Sequence, residues 1–133
     1  MQNLFKTFNF SGKRILIIDD DETSLILFNE VLSFVGAYSE TALEEEEAIR
    51  KYNILKPHLV LLDLLFPGCS GVEIARQIRY INSDAFIIAI TACYDDGTKE
   101  PGEELFNDIL RKPIDFKILL ETINKYLSPL PIS

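Results

Sequence analysis

An α/β fold with a doubly wound parallel sheet, strands in the order 2-1-3-4-5, is the architecture this sequence predicts. Three observations point to it. Short apolar, β-branched runs recur along the chain: Ile15-Leu16-Ile17-Ile18, Leu59-Val60-Leu61-Leu62 and Ala85-Phe86-Ile87-Ile88-Ala89-Ile90. That is the composition of strands covered on both faces. Segments with apolar residues at helical spacing separate them. Each run also ends on residues capable of chemistry: Asp19-Asp20-Asp21, Asp63, Thr91 and, after a shorter fourth run, Lys112-Pro113. In open α/β sheets the C-terminal strand edge is where sites form.

Residues 14–19 read as the first strand. Leu25, Phe28, Leu32 and Val35 make the apolar stripe of the helix that follows; Asp21 is a candidate cap and Gly36 stops it. Ala37–Thr41 is a short second strand. Leu43–Leu55 is a second helix, striped by Ala48, Ile49, Tyr52 and Leu55 and ended by Pro57. Its Glu44-Glu45-Glu46-Glu47 run is read as first-turn acids favoured by the helix dipole and facing water, not as a metal site. Residues 58–63 form the third strand, and Phe66-Pro67-Gly68-Cys69 is a loop. Ser70-Gly71-Val72-Glu73 has capping-box spacing and opens a third helix through Ile74, Ile78 and Ile81. Asn82-Ser83-Asp84 turns into a fourth strand over 85–91. Residues 94–106 are weakly helical at best, because Gly97, Pro101 and Gly102 interrupt them. Asp108–Arg111 is a short fifth strand, and Asp115 caps a final helix carrying Phe116, Leu119, Leu120, Ile123 and Leu127 on one face. Right-handed crossovers between five such β-α units place helices on both sheet faces. The switch point then lies between strands one and three, with Asp19–Asp21 on one lip and Asp63 on the other.

The bulk numbers set limits. A chain of 133 residues, 47% hydrophobic, is one domain with one core. It divides into an N-terminal extension (1–12), the domain (13–128) and a short frayed tail (129–133). Net charge is −8, from 21 acids against 13 bases. That disfavours a nucleic-acid surface and permits a cation site or a basic partner patch. Cys69 and Cys93 lack metal-like CxxC spacing and read as reduced thiols of a cytoplasmic protein. His58 is the one histidine; it follows Pro57 at a strand start and reads as structural. No apolar stretch approaches the ~20 residues of a membrane span. Met1–Phe10 lacks the apolar core and cleavage site of a signal peptide. No membrane insertion is expected.

The strand-end residues support a definite chemistry. Clustered carboxylates repel one another, and burying several raises their pKa until some protonate. A divalent cation removes that conflict, and Mg²⁺ favours hard oxygen ligands such as one or two carboxylates. Asp20 is the expected direct ligand, Asp19 a ligand directly or through water. Asp63 is open to two roles, a further ligand or a nucleophile, since carboxylates attack phosphorus to form acyl phosphates. Lys112 would supply a point charge to a phosphate oxygen. The Thr91 hydroxyl and the Ala92 N–H would donate to another. No residue stands out as a strong base for activating water, which points to a switch rather than a turnover enzyme.

Four segments, in order, then carry a resemblance: ILIIDDDE at 15–22, LVLLDLLFPGCSG at 59–71, IIAITA at 87–92 and KPID at 112–115. Over about residues 13–127 the chain resembles the receiver domain of two-component response regulators. The resemblance implies a flavodoxin-like (βα)5 domain in which a phosphoryl group from a sensor histidine kinase or phosphotransfer protein moves to Asp63. It implies Mg²⁺ as cofactor, Asp19 and Asp20 as the acidic pair, Thr91 as the switch hydroxyl and Lys112 as the family's lysine. Leu65, two after Asp63, would give a backbone carbonyl to the metal. The Lys112–Pro113 bond would be cis. A downstream protein target and a possible dimer are the implied partners, with no direct nucleic-acid contact.

The chain departs from that family at three places. Ile109 stands where the family has its switch aromatic. Glu104-Leu105-Phe106 lacks the glycine expected before strand five, and the fourth helix is broken. All three fall on the family's output and dimerisation surface, so the expectation is retained phosphorylation chemistry with an altered readout. With little chain after the last helix, the domain is expected to act alone by docking or as a segment of a longer regulator. Rival readings are a haloacid-dehalogenase-like phosphatase, in which Asp19-x-Asp21-x-Thr23 would supply nucleophile and acid/base, a flavin-binding module, and an unphosphorylated docking module. The phosphatase lacks a later acidic pair and leaves Asp63 unexplained. The flavin reading conflicts with the acids after strand one.

Overall fold

The computed structural model describes residues 8–64, 71–92 and 102–128. Its strands are β1 (Arg14–Ile18), β2 (Tyr38–Ala42), β3 (Leu59–Asp63), β4 (Ile87–Thr91) and β5 (Asp108–Arg111). All pair in parallel, in the order β2-β1-β3-β4-β5, the predicted topology. The helices are α1 (Glu22–Phe34), α2 (Glu45–Leu55), α3 (Gly71–Ile81) and α4 (Phe116–Leu127). Between β4 and β5 the described residues hold only a 3₁₀ turn, Glu103–Leu105. The rest of the weakly helical 94–106 segment lies outside the described residues. So do Leu65, the 66–69 loop, the Ser70 cap, Cys69, Cys93 and the tail.

Side-chain alternation along the strands splits the core in two. Ile15, Ile17, Leu59, Leu61, Ile88 and Ile90 point to one face, where α1 and α4 cover them with Leu25, Phe28, Leu32, Leu119 and Ile123. Leu16, Ile18, Val60, Leu62 and Ile87 point to the other, under Ala48 and Tyr52 of α2 and Ile74 and Ile78 of α3. Ile81, expected on the inner stripe of α3, is 43% exposed, because the helix ends there as the chain turns toward β4. Each fully buried Ile or Leu stabilises the fold by about 1.5–3 kcal/mol relative to exposure.

The helix ends follow local chemistry. α1 closes on Gly36 at φ 89°, whose N–H donates to the Ser33 carbonyl while the Ala37 N–H reaches Leu32. That is the paired bonding a left-handed glycine permits. Lys56 ends α2 in the left-handed region at φ 49°; the proline after it disfavours the right-handed helical alternative. The Arg14 guanidinium then satisfies the Leu55 and Lys56 carbonyls at 3.0 and 2.9 Å. His58 is structural, as expected: its Nδ1 accepts the Arg14 N–H at 3.0 Å, at the sheet edge opposite the acid cluster. Burial, with the Arg14 and Lys13 charges, pushes its imidazole pKa down.

The predicted boundaries move by one to two residues at most strands. β1 stops at Ile18, and β2 runs one residue later than expected. β4 begins at Ile87 rather than at 85, because the Ala85 N–H turns back to Asn82 and the Ile87 N–H is taken by Asn107 Oδ1. α2 starts at Glu45 rather than Leu43. Its first-turn acids do more than face water. Glu47 accepts the Leu43 N–H at 2.7 Å and pairs with Lys51, which holds its carboxyl below the usual range, and Glu45 accepts from Gln77. Ahead of β1, Phe10 is buried in the core and its N–H donates to the Val35 carbonyl at 2.7 Å.

Candidate functional site

The register of the sheet sets the ends of β1, β3 and β4 side by side. Ile18 lies opposite Leu62, Asp63 opposite Ile90, and Thr91 opposite Arg111. Residues just beyond these positions therefore share one edge. Asp19, the first residue past β1, is 1% exposed; its N–H adds one more bond toward β2, to the Ala42 carbonyl at 3.1 Å. Asp63 ends β3 at 3% exposure, and Thr91 ends β4 fully buried. Lys112 follows β5; its N–H donates to the Thr91 carbonyl at 2.8 Å, and the Lys112–Pro113 peptide is cis.

These side chains converge. One carboxylate oxygen each from Asp19, Asp20 and Asp63 lies within 4.8 Å of the others. Lys112 Nζ donates to Asp63 Oδ2 at 3.0 Å. Asp19 Oδ1 accepts the Asp21 N–H at 2.9 Å, while Asp19 Oδ2 is buried with no hydrogen-bond partner. Asp20 is exposed beside them. Asp21 turns away to cap α1, accepting from Thr23 N–H, the role the sequence suggested for it. Ala92 is exposed at the same edge, directly after Thr91.

The electrostatics are unbalanced. Burial pushes the Asp19 carboxyl up to about 7; the Asp21 N–H opposes the shift and the Asp63 charge adds to it. Burial alone would lower the Lys112 ammonium, but its hydrogen bond and charge pairing with Asp63 leave it raised. Among the described residues, one ammonium thus faces three carboxylates, and a buried carboxylate oxygen without a partner is costly. A donor set of hard oxygens, with an orphaned oxygen on one of its carboxylates, fits a small divalent cation such as Mg²⁺.

One positioning residue escaped the sequence reading. A Cβ at Gly71 would sit 2.7 Å from both the Asp63 carbonyl oxygen and the Leu64 Cα. Only a glycine lets α3 begin this close behind Asp63. The signal was present, as a glycine at the helix start after the third strand, but a capping box explains it equally well. The phosphatase alternative also meets its geometry here. It needs Asp21 to face the pocket as acid/base, and the Asp21 carboxylate is engaged on Thr23 and Ser24 instead.

Comparison with known proteins gives the same picture. Residues 15–124 match the model of the response regulator receiver domain. Sporulation initiation phosphotransferase F of Bacillus subtilis is 32% identical over 117 residues, covering 87% of this chain and 94% of that protein. The alkaline phosphatase synthesis transcriptional regulatory protein PhoP of the same organism is 34% identical over 103 residues, covering 77% of this chain. The chain spans only 43% of PhoP's length. Among solved structures, response regulator protein TrrA of Thermotoga maritima in complex with Mg²⁺–BeF superposes with a TM-score of 0.79 at 36% identity, covering 86% of this chain and 99% of that one. TrrA bound to histidine kinase ThkA gives 0.78 over 87% and 99%. Neither the phosphatase, the flavin nor the docking-only reading is favoured by these similarities. Fold, strand-end chemistry and relatives agree: the chain belongs to the response regulator receiver domain family and is a receiver domain of two-component signalling.

Proposed function

We propose that Asp63 is the phosphoacceptor of this receiver domain, with a sensor histidine kinase or phosphotransfer protein as donor. The observation that carries the assignment is the setting of its carboxylate: buried at a strand end, 3.0 Å from Lys112 Nζ and grouped with Asp19 and Asp20. An Asp63 oxygen forms the new P–O bond as the P–N bond to the donor histidine breaks and the imidazole departs. Lys112 shifts its ammonium from the Asp63 carboxylate to a phosphoryl oxygen. The Thr91 hydroxyl and the Ala92 N–H, at the neighbouring strand end, donate to another. Asp19, Asp20 and Asp63, with the Leu65 carbonyl, would hold Mg²⁺, which when bound neutralises charge on the transferring group.

The kinase partner is supported by TrrA, whose structure with ThkA is similar to this chain. Family membership supports reading the chain as a signalling module rather than a turnover enzyme. No helix among the described residues is long and apolar enough to cross a membrane, and a cytoplasmic setting is the proposed one. The output to a downstream protein target, with or without dimerisation, is proposed to be atypical. Ile109 is half-buried opposite Ala89, two positions before the Thr91–Arg111 pair, and carries no ring to report the state of Thr91.

The test is intact mass after incubation with acetyl phosphate. The native domain gains one phosphoryl group only with Mg²⁺ present, and Asp63→Asn gains none while still unfolding cooperatively. Lys112→Ala slows the gain but changes Mg²⁺ affinity much less. Phosphorylation independent of divalent ions would overturn the reading.

A further inference from the structure

We infer that Asp21 is a positioning residue for the metal-facing carboxylate of Asp19. This rests on the reading of the acid cluster as a cation site. Asp21 makes four bonds in two directions. Its N–H donates to Asp19 Oδ1 at 2.9 Å. Its own Oδ1 accepts the Thr23 N–H at 3.1 Å, its Oδ2 accepts the Ser24 hydroxyl at 2.9 Å, and its carbonyl accepts the first helical N–H, from Leu25, at 3.1 Å.

Two successive side-chain-to-backbone turns, Asp19 onto residue 21 and Asp21 onto residue 23, thereby lock the 19–23 segment to α1. The helix is anchored by Leu25 and Phe28 in the core. The consequence falls on one atom. With Oδ1 held, the Asp19 carboxylate cannot rotate freely; its Oδ2 stays buried without a partner, and the same carboxylate offers one oxygen to the cluster. Asp20 projects between the two turns, exposed, toward the same cluster. Groups that orient a ligating carboxylate from behind tune affinity without touching the metal. Asp21 does this as a helix cap, so the property that matters is its acceptor, not its charge.

The prediction separates those two properties. Asp21→Asn retains a good cap acceptor and loses the charge; Asp21→Ala loses both. Mg²⁺ titrations of the whole domain, followed by calorimetry, should leave Asp21→Asn within about threefold of the native affinity and weaken Asp21→Ala by roughly tenfold or more. Should Asp21→Ala not fold, Ser24→Ala removes only the hydroxyl on the cap and should weaken binding in the same direction by a smaller factor. Equal weakening in Asn and Ala variants would make Asp21 a charge effect and overturn the inference. So would native affinity in Ala with only a lower Tm, which would mark a purely structural cap. A native domain that binds no Mg²⁺ would instead overturn the site reading itself.

Discussion

Asp19 concentrates the electrostatic conflict of the molecule, and its protonation has a definite sign. In the unfolded chain its carboxyl ionises near 3.8; in the metal-free fold burial raises it to about 7. Between those values the folded state holds the extra proton. Its contribution to stability is therefore largest at low pH, falls as pH rises through that window, and levels off above it. Denaturation curves across pH should show this decline without metal, lose it with saturating Mg²⁺, and lose it in Asp19→Asn. A decline that persists in Asp19→Asn would place the titration elsewhere. Mg²⁺ affinity should rise over the same window, because the ligand must shed its proton. At this scale the sequence was informative about identities: Asp19, Asp20, Asp63, Thr91 and Lys112 all stand at the predicted strand ends. It was silent on which oxygen is satisfied. The Asp21 N–H satisfies Asp19 Oδ1 while Oδ2 is left without a partner, a three-dimensional fact with no periodic signature.

Among elements, the contact of α3 with the end of β3 constrains the site closely. The missing Cβ of Gly71 leaves room for the Asp63 carbonyl and the Leu64 backbone. Gly71→Ala would force α3 or β3 to shift, at a cost of about 1–3 kcal/mol as overpacking. Because the shift falls on the Asp63 backbone, phosphorylation should slow by more than the loss of stability explains. A variant as reactive as the native chain but less stable would confine Gly71 to packing. The helices were legible because their apolar spacing and stop signals agree, as at Leu25, Phe28, Leu32 and Gly36. The start of β4 was not. Ala85-Phe86 looks like strand, yet the Ala85 N–H turns back to the Asn82 carbonyl and the Ile87 N–H goes to Asn107, twenty residues on.

For the whole molecule, alternation between short apolar runs and helical stripes was enough to reach a parallel sheet, and crossover handedness put helices on both of its faces; the 2-1-3-4-5 order came with the doubly wound fold class. What it could not show is how the far end of the sheet is tied together. Arg79 of α3 donates to the Leu105 and Ser83 carbonyls at 3.0 and 3.1 Å, to the Ala85 carbonyl, and to Asn107 Oδ1 at 2.7 Å. An arginine on a helix otherwise reads as solvated. Arg79→Ala would leave partly buried carbonyls without donors and should lower stability by about 2 kcal/mol, measurable by urea denaturation, with little change in Mg²⁺ affinity at the opposite edge. A stability loss within error would mean water replaces the guanidinium. The N-terminal strap, through Phe10 and Val35, is the other tie that composition alone did not show.

The most direct test of the account is to locate the phosphoryl group. Tandem mass spectrometry of the domain treated with acetyl phosphate and Mg²⁺ should place it on Asp63, and Asp63→Asn should show no modified peptide. A phosphoryl group on Asp19, or one still gained elsewhere by Asp63→Asn at the native rate, would contradict it.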